Sequence, residues 1–129
     1  MYRNLTIASV LGIIAVILGA FGAHALKLKL STEALQSFET AVRYQFLHVL
    51  VLLFVNSYNE FSFKQKNRIS LLFITGTVLF SGSIYLIYMA KVPVKLIWFV
   101  TPLGGVLLII GWSFMAFQFI KRLSNKNNK

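Results

Sequence analysis

A chain of 129 residues is sized for one ordinary domain, yet 57% of it is hydrophobic and its mean hydropathy is +0.75. That is more apolar surface than a soluble domain of this length buries. The absence of cysteine excludes disulfides, thiolate nucleophiles, iron–sulfur clusters and cysteine-type zinc sites. The net charge of +10 comes from basic residues lying mostly between or beyond the apolar runs, a pattern of membrane orientation and contact with anionic lipid. Nucleic acid is not expected as a partner, because no folded soluble unit is present to carry a basic face.

The first run covers residues 5–26 and is apolar apart from His24 near its end. A helix crosses the hydrocarbon core in about 20 residues, so this run is long enough to span. Arg3 before it and Ala23-His24-Ala25 within it imitate a cleavable signal. The apolar stretch from Leu5 nevertheless outruns the about 7–15 residues of a signal core, so a retained helix is expected. Ala8, Gly12, Ala15, Gly19 and Gly22 or Ala23 recur at spacings of three and four, drawing a small-residue stripe of the kind that lets helix backbones approach in lipid. Residues 27–32 form a polar link in which Ser31 or Thr32 can cap the next helix, with Glu33 in its first turn.

The second span is assigned to residues 35–58. Its first half is amphipathic, and only residues 46–55 are nearly all apolar. That stretch is too short to cross alone, so the polar half must enter the membrane or its interface. Residues 56–68, with Lys64, Lys66 and Arg68, read as the longest loop. The third span, residues 69–90, carries no charge, and residues 91–95 form a basic turn around Pro93. The fourth span is assigned to residues 97–120, with Trp98 as an interfacial anchor. Pro102 either kinks it or marks its true start, leaving residues 96–100 along the interface. Residues 121–129 form a polar, basic tail expected to fray. The fold class expected is all-α, a polytopic four-transmembrane-helix bundle in a single domain over residues 1–129. Arg3, Lys64, Lys66, Arg68, Lys121, Arg122, Lys126 and Lys129 then share one side, and Lys27, Lys29, Lys91 and Lys95 the other. The heavier side is cytoplasmic by the positive-inside rule, which places both termini there.

The second span holds the chemistry. On a helical wheel Gln36, Glu39, Thr40, Arg43, Tyr44 and His48 fall on one half, with Val42, Phe46 and Val49 on the other. Ionisable groups at membrane depth usually face protein or a cavity, so the polar half is expected to turn inward. Glu39 and Arg43 are four apart in the favoured order for an ion pair, and Tyr44 and His48 are likewise four apart. The candidate buried polar cluster comprises His24, Glu39, Arg43, Tyr44, Gln45, His48, Ser81, Ser83 and Tyr85. Gly12, Gly19, Gly22, Gly82, Gly104, Gly105 and Gly111 are the candidate helix-packing positions.

No phosphate-binding loop, dinucleotide-binding glycine pattern, zincin motif or nucleophile elbow occurs. A triad drawn from Ser81 or Ser83, His48 and Glu39 has no spacing in its favour. His24 and His48 are offset along their helices by on the order of 20 Å at the helical rise, so no metal shared within one chain is expected. No catalytic residue and no cofactor is assigned.

Several motifs in order give a likeness across nearly the whole chain: Gly19-Ala20-Phe21-Gly22-Ala23-His24-Ala25-Leu26; Phe38-Glu39-Thr40-Ala41 with Tyr44-Gln45 and His48; Leu79-Phe80-Ser81-Gly82-Ser83-Ile84-Tyr85; Thr101-Pro102-Leu103-Gly104-Gly105; and Gly111-Trp112. Together they resemble the domain-of-unknown-function 423 family, the YgdD- and YwdK-type small bacterial membrane proteins, which are similar to a eukaryotic transmembrane-256 type. The resemblance implies a four-helix inner-membrane protein without a cleaved signal, and implies no activity, substrate or cofactor. The chain departs from the family pattern at Lys91-Val92-Pro93-Val94-Lys95, where the family often carries glycine. The function expected is a non-enzymatic accessory or scaffold subunit, surrounded by the lipid bilayer and assembled as a homo-oligomer or within a larger membrane complex. One alternative is a small-solute or proton pathway lined by the polar face of the second helix. A second is a membrane enzyme handling a lipid or quinone, with His48 as base and Arg43 holding an anionic head group.

Overall fold

The computed structural model describes residues 2–127. Helix α1 covers Tyr2–His24 and is followed by a 3-10 turn at Leu26–Leu28; α2 covers Thr32–Ser57, α3 Phe63–Tyr88, α4 Val94–Ile97 and α5 Val100–Asn127. Four helical segments are long and apolar enough to cross a membrane, α4 and α5 together making the last of them, and no strand occurs among the described residues.

Local chemistry fixes the ends of these helices. Ser31 caps α2, its hydroxyl accepting from the Ala34 amide at 3.2 Å. Ser62 and Gln65 form a reciprocal capping box, with Ser62 N donating to Gln65 Oε1 at 2.8 Å and Gln65 N donating to Ser62 Oγ at 3.3 Å. That box starts α3 well before residue 69 and absorbs Lys64, Lys66 and Arg68 into the helix rather than a loop. α5 starts at Val100, so Pro102 sits in its first turn, where a missing amide hydrogen costs nothing. The short α4 precedes it, with exposed Trp98 and Phe99 at the join. The tail is helical through Asn127; residues 128–129 lie outside the described residues.

Helices adjacent in sequence are adjacent in space. α1 packs on α2, α2 on α3 and α3 on α5, while α1 meets α3 along a narrow seam only. α2 and α3 therefore form a central hairpin with α1 on one flank and α5 on the other. Burial follows: 39% and 44% of the spanning windows of α2 and α3 are buried, against 17% in both α1 and α5. The core gathers Ala8, Leu52, Val55, Ile69, Phe73 and Leu108.

The small-residue stripe of α1 is the face that meets α2. A Cβ on Gly22 would lie 2.9 Å from the Phe38 ring, on Gly19 3.3 Å from Val42 Cγ1, and on Gly12 3.4 Å from Val49 Cγ1. The α3–α5 seam is tighter. A Cβ on Gly104 would fall 2.8 Å from Phe80 Cα and 2.9 Å from the Gly76 carbonyl, so the two backbones touch. Gly111 lies against Phe73, and Gly105 makes only ordinary contact with Phe80. Gly82 is not a packing position, because a Cβ there would meet nothing within 4 Å. Gly76, absent from the sequence-based set, takes that role: its Cβ would fall 2.7 Å from Leu108 Cδ2.

Candidate functional site

The buried face of α2 runs through Phe38, Ala41, Gln45, His48, Val49, Leu52, Val55 and Asn56. Glu39 and Arg43 are exposed on the far side of the helix, and Tyr44 is exposed on its flank towards α3. This corrects the expected inward Glu39–Arg43 pair. Among the described residues the one ion pair joins Arg122 to Glu60 at 2.9 Å. Packing is the reason: α2 turns Phe38, Ala41, Leu52 and Val55 to its neighbours, each at 0% exposure, and the strip bearing Glu39 and Arg43 lies across the helix from them. Tyr44 lies outside as well and stacks on Phe80 with ring centroids 4.9 Å apart. His24 is exposed at the end of α1.

The polar groups that do turn inward are Gln45, His48, Ser81 and Ser83, with half-buried Tyr85. The Gln45 amide ties three helices together: Nε2 donates to the Leu11 carbonyl of α1 at 2.7 Å, and Oε1 accepts from the Tyr85 hydroxyl of α3 at 2.7 Å. His48 is held from both sides. Trp112 Nε1–H is a donor only, so His48 Nε2 accepts from it, at 3.1 Å; Nδ1 then carries the hydrogen and donates to the Tyr44 carbonyl at 2.7 Å. Both ring nitrogens are thus engaged within the bundle. Ser81 Oγ donates to the Ala41 carbonyl at 2.7 Å, and the Ser83 and Thr101 hydroxyls bond each other across α3 and α5. Thr77 Oγ1 is the one buried side-chain polar atom without a hydrogen-bond partner among the described residues. Thr77 lines a small cavity of about 160 Å³ together with Leu11, Gln45 and Tyr85.

A second polar cluster, outside the sequence-based set, sits at the other end of the hairpin. Asn56 is fully buried. Its Nδ2 donates to the Leu52 carbonyl at 2.9 Å and to Ser70 Oγ at 2.8 Å, and its Oδ1 accepts from Asn4 Nδ2 at 3.1 Å. Asn4 Nδ2 also reaches Asn67 Oδ1 at 2.9 Å. Lys66, buried against its polar neighbours, donates from Nζ to the Asn56 carbonyl at 2.9 Å and so places its charge at the carbonyl end of α2. Gln65 and Gln118 pair across α3 and α5, and the Arg122 guanidinium lies over the Phe61 ring, 5.6 Å from its centroid. The signal present in the sequence is Asn4 and Asn56, amides at the edges of apolar runs, where an unpaired polar group is costly.

No three His, Asp or Glu side chains converge to hold a metal ion among the described residues. Apart from Thr77, the deep polar groups act as internal struts bonded within the bundle, and Glu39 and Arg43 of α2 lie outside.

Comparison with other proteins agrees with this architecture. Residues 18–105 match the family described as protein of unknown function DUF423. The chain is 36% identical over 124 residues to the UPF0382 inner membrane protein YgdD of Escherichia coli K12, covering 91% of this chain and 88% of that one. It is 35% identical over 124 residues to a UPF0382 membrane protein of Haemophilus influenzae, covering 95% and 97%. It is 39% identical over 103 residues to one from Staphylococcus saprophyticus, covering 80% and 84%. No solved structure matches. With four helices able to span, and with inner-membrane relatives aligned along nearly their whole length, the chain belongs to the DUF423 family and is a multi-pass protein of the bacterial cell membrane.

Proposed function

We propose that the chain is a non-enzymatic accessory or scaffold subunit that docks through the outward face of α2. The observation that supports this reading is the placement of Glu39 and Arg43: exposed, without an ion-pair partner among the described residues, on a helix long enough to span. Arg43 lies about 16 Å along the α2 axis from Thr32 at the helical rise, near the middle of the crossing. A bare arginine there costs about 3 kcal/mol on insertion-based scales, and a protein partner bearing complementary charge removes that cost. The rest of the strip, Leu47, Leu50 and Phe54, is apolar and exposed, so one helix of a partner can lie along its length. A pathway along α2 has less support, because Gln45 and His48 are bonded within the bundle. A base role for His48 has less support for the same reason. We also place both termini in the cytoplasm on the distribution of Lys and Arg.

The cysteine-free chain suits a direct test. Leu47→Cys and Leu50→Cys, treated in native membranes with an oxidant or with a thiol-to-amine cross-linker, give a disulfide with the same cysteine of a second copy or an adduct with a lysine of another subunit, and Arg43→Leu or Glu39→Gln added to either abolishes them. A lone monomer in every membrane preparation, with no adduct from either cysteine, overturns the proposal.

A further inference from the structure

We propose that the cleft between the 3-10 link and the end of α3 binds the phosphate head group of an anionic phospholipid, with Lys29 and Lys91 as its cationic clamp. The cleft has a volume of about 520 Å³, and residues of two chemistries line it: apolar Phe21, Leu26, Leu30 and Met89, and basic Lys29 and Lys91. Those are the two halves of a phospholipid at the membrane surface. The depth fits, because the cleft lies where α1 and α3 end, level with exposed Trp98 and half-buried Tyr88, residue types that settle among head groups.

The lysines reach the cleft from two unrelated links, each with its backbone fixed. Lys29 closes the 3-10 turn, its amide donating to the Leu26 carbonyl at 2.9 Å. Lys91 follows α3 with φ 54°, the one non-glycine residue with positive φ among those described. A side chain in that left-handed conformation is strained by its own Cβ, and glycine would hold the same turn without strain. Strain of this sort persists where the surroundings gain from it, and what a lysine adds to this turn is its ammonium group. Neither lysine has a carboxylate partner among the described residues, and Glu33, the nearest acid in sequence, forms no ion pair. A free phosphate would satisfy only the lysines. A phospholipid also covers the apolar wall.

The test uses the full chain in neutral detergent, with thermal unfolding followed as phosphatidylglycerol, phosphatidylcholine or inorganic phosphate is added. Phosphatidylglycerol is expected to raise the midpoint by several degrees, and the other two to leave it unmoved. Lys91→Gly removes the charge and relieves the turn, so its midpoint without lipid is expected to equal or exceed that of the wild type, while its phosphatidylglycerol affinity falls about fivefold, the share of one basic residue near an anionic lipid surface. Lys29→Gln falls by a similar factor. Lys95→Gln, at the same end of the bundle but outside the cleft, keeps the wild-type affinity. Equal stabilisation by phosphatidylcholine or inorganic phosphate overturns the proposal. So does a loss in Lys95→Gln matching that in Lys91→Gly, which is the signature of diffuse surface attraction.

Discussion

The two seams that fasten the outer helices to the central hairpin are built differently. α5 meets α3 backbone to backbone at Gly76 and Gly104, with the ring of Phe73 closed over Gly111. α1 meets α2 through side chains: Val42, Val49 and Phe38 lie over glycines, and Gln45 and Asn4 add hydrogen bonds across the gap. A seam of touching main chains has nothing that can swing aside, whereas a seam of side chains can adjust by rotamer changes. The first should tolerate almost no added volume, and the second should depend on its hydrogen bonds.

Substitutions can break or sharpen this contrast. Gly104→Ala carries the largest expected effect, since its methyl would lie 2.8 Å from Phe80 Cα; a loss of about 3 kcal/mol is expected in reversible unfolding from mixed micelles. Asn56→Leu removes one of the two bonds of Asn4 Nδ2 and the Asn56 donor to Ser70 Oγ in the buried cluster and should cost about 2 kcal/mol by the same measurement. Gln45→Leu removes the second bond on the Leu11 carbonyl and takes away the acceptor of the Tyr85 hydroxyl, and about 1 kcal/mol is expected, the scale of a hydrogen bond between membrane helices. Gly19→Ala, whose methyl would meet only Val42 Cγ1 at 3.3 Å, should stay within about 0.5 kcal/mol of the parent. If Gly104→Ala and Gly19→Ala lose equal stability, the two seams are alike after all. Thr77→Val exchanges an unbonded buried hydroxyl for a methyl of the same shape, so stability should be unchanged or slightly higher.

Much of the fold is legible in hydropathy alone. The apolar runs give the number and order of the crossings, and the spacing of Ala8, Gly12, Ala15, Gly19 and Gly22 gives the face of α1 that packs. Two features need more. A helical wheel says which residues share a side, not which side faces the protein. Glu39 and Arg43 point inward only if polarity decides the rotation of α2, and here Phe38, Ala41 and Leu52 decide it instead. The start of α3 is hidden when charges are counted, because Lys64, Lys66 and Arg68 lower the hydropathy of its first turns. The Ser62-x-x-Gln65 pattern marks that start in the bare sequence. Gln45, named from the sequence as part of the candidate cluster, joins three helices, and the bonds it makes are not legible there. The pairing of Trp112 with His48 spans a sequence separation that no local pattern reveals.

Asn4 has a bearing on biogenesis. It sits in the first turn of α1, which leaves the ribosome ahead of its partners' helices, and those partners are Asn56 on α2 and Asn67 on α3, with Ser70 joined through Asn56. α1 therefore enters the bilayer before the groups that latch this end of it have been translated. Until both α2 and α3 arrive, that end has no amide to hold it, so a crossing made ahead of its partners is secured only after them.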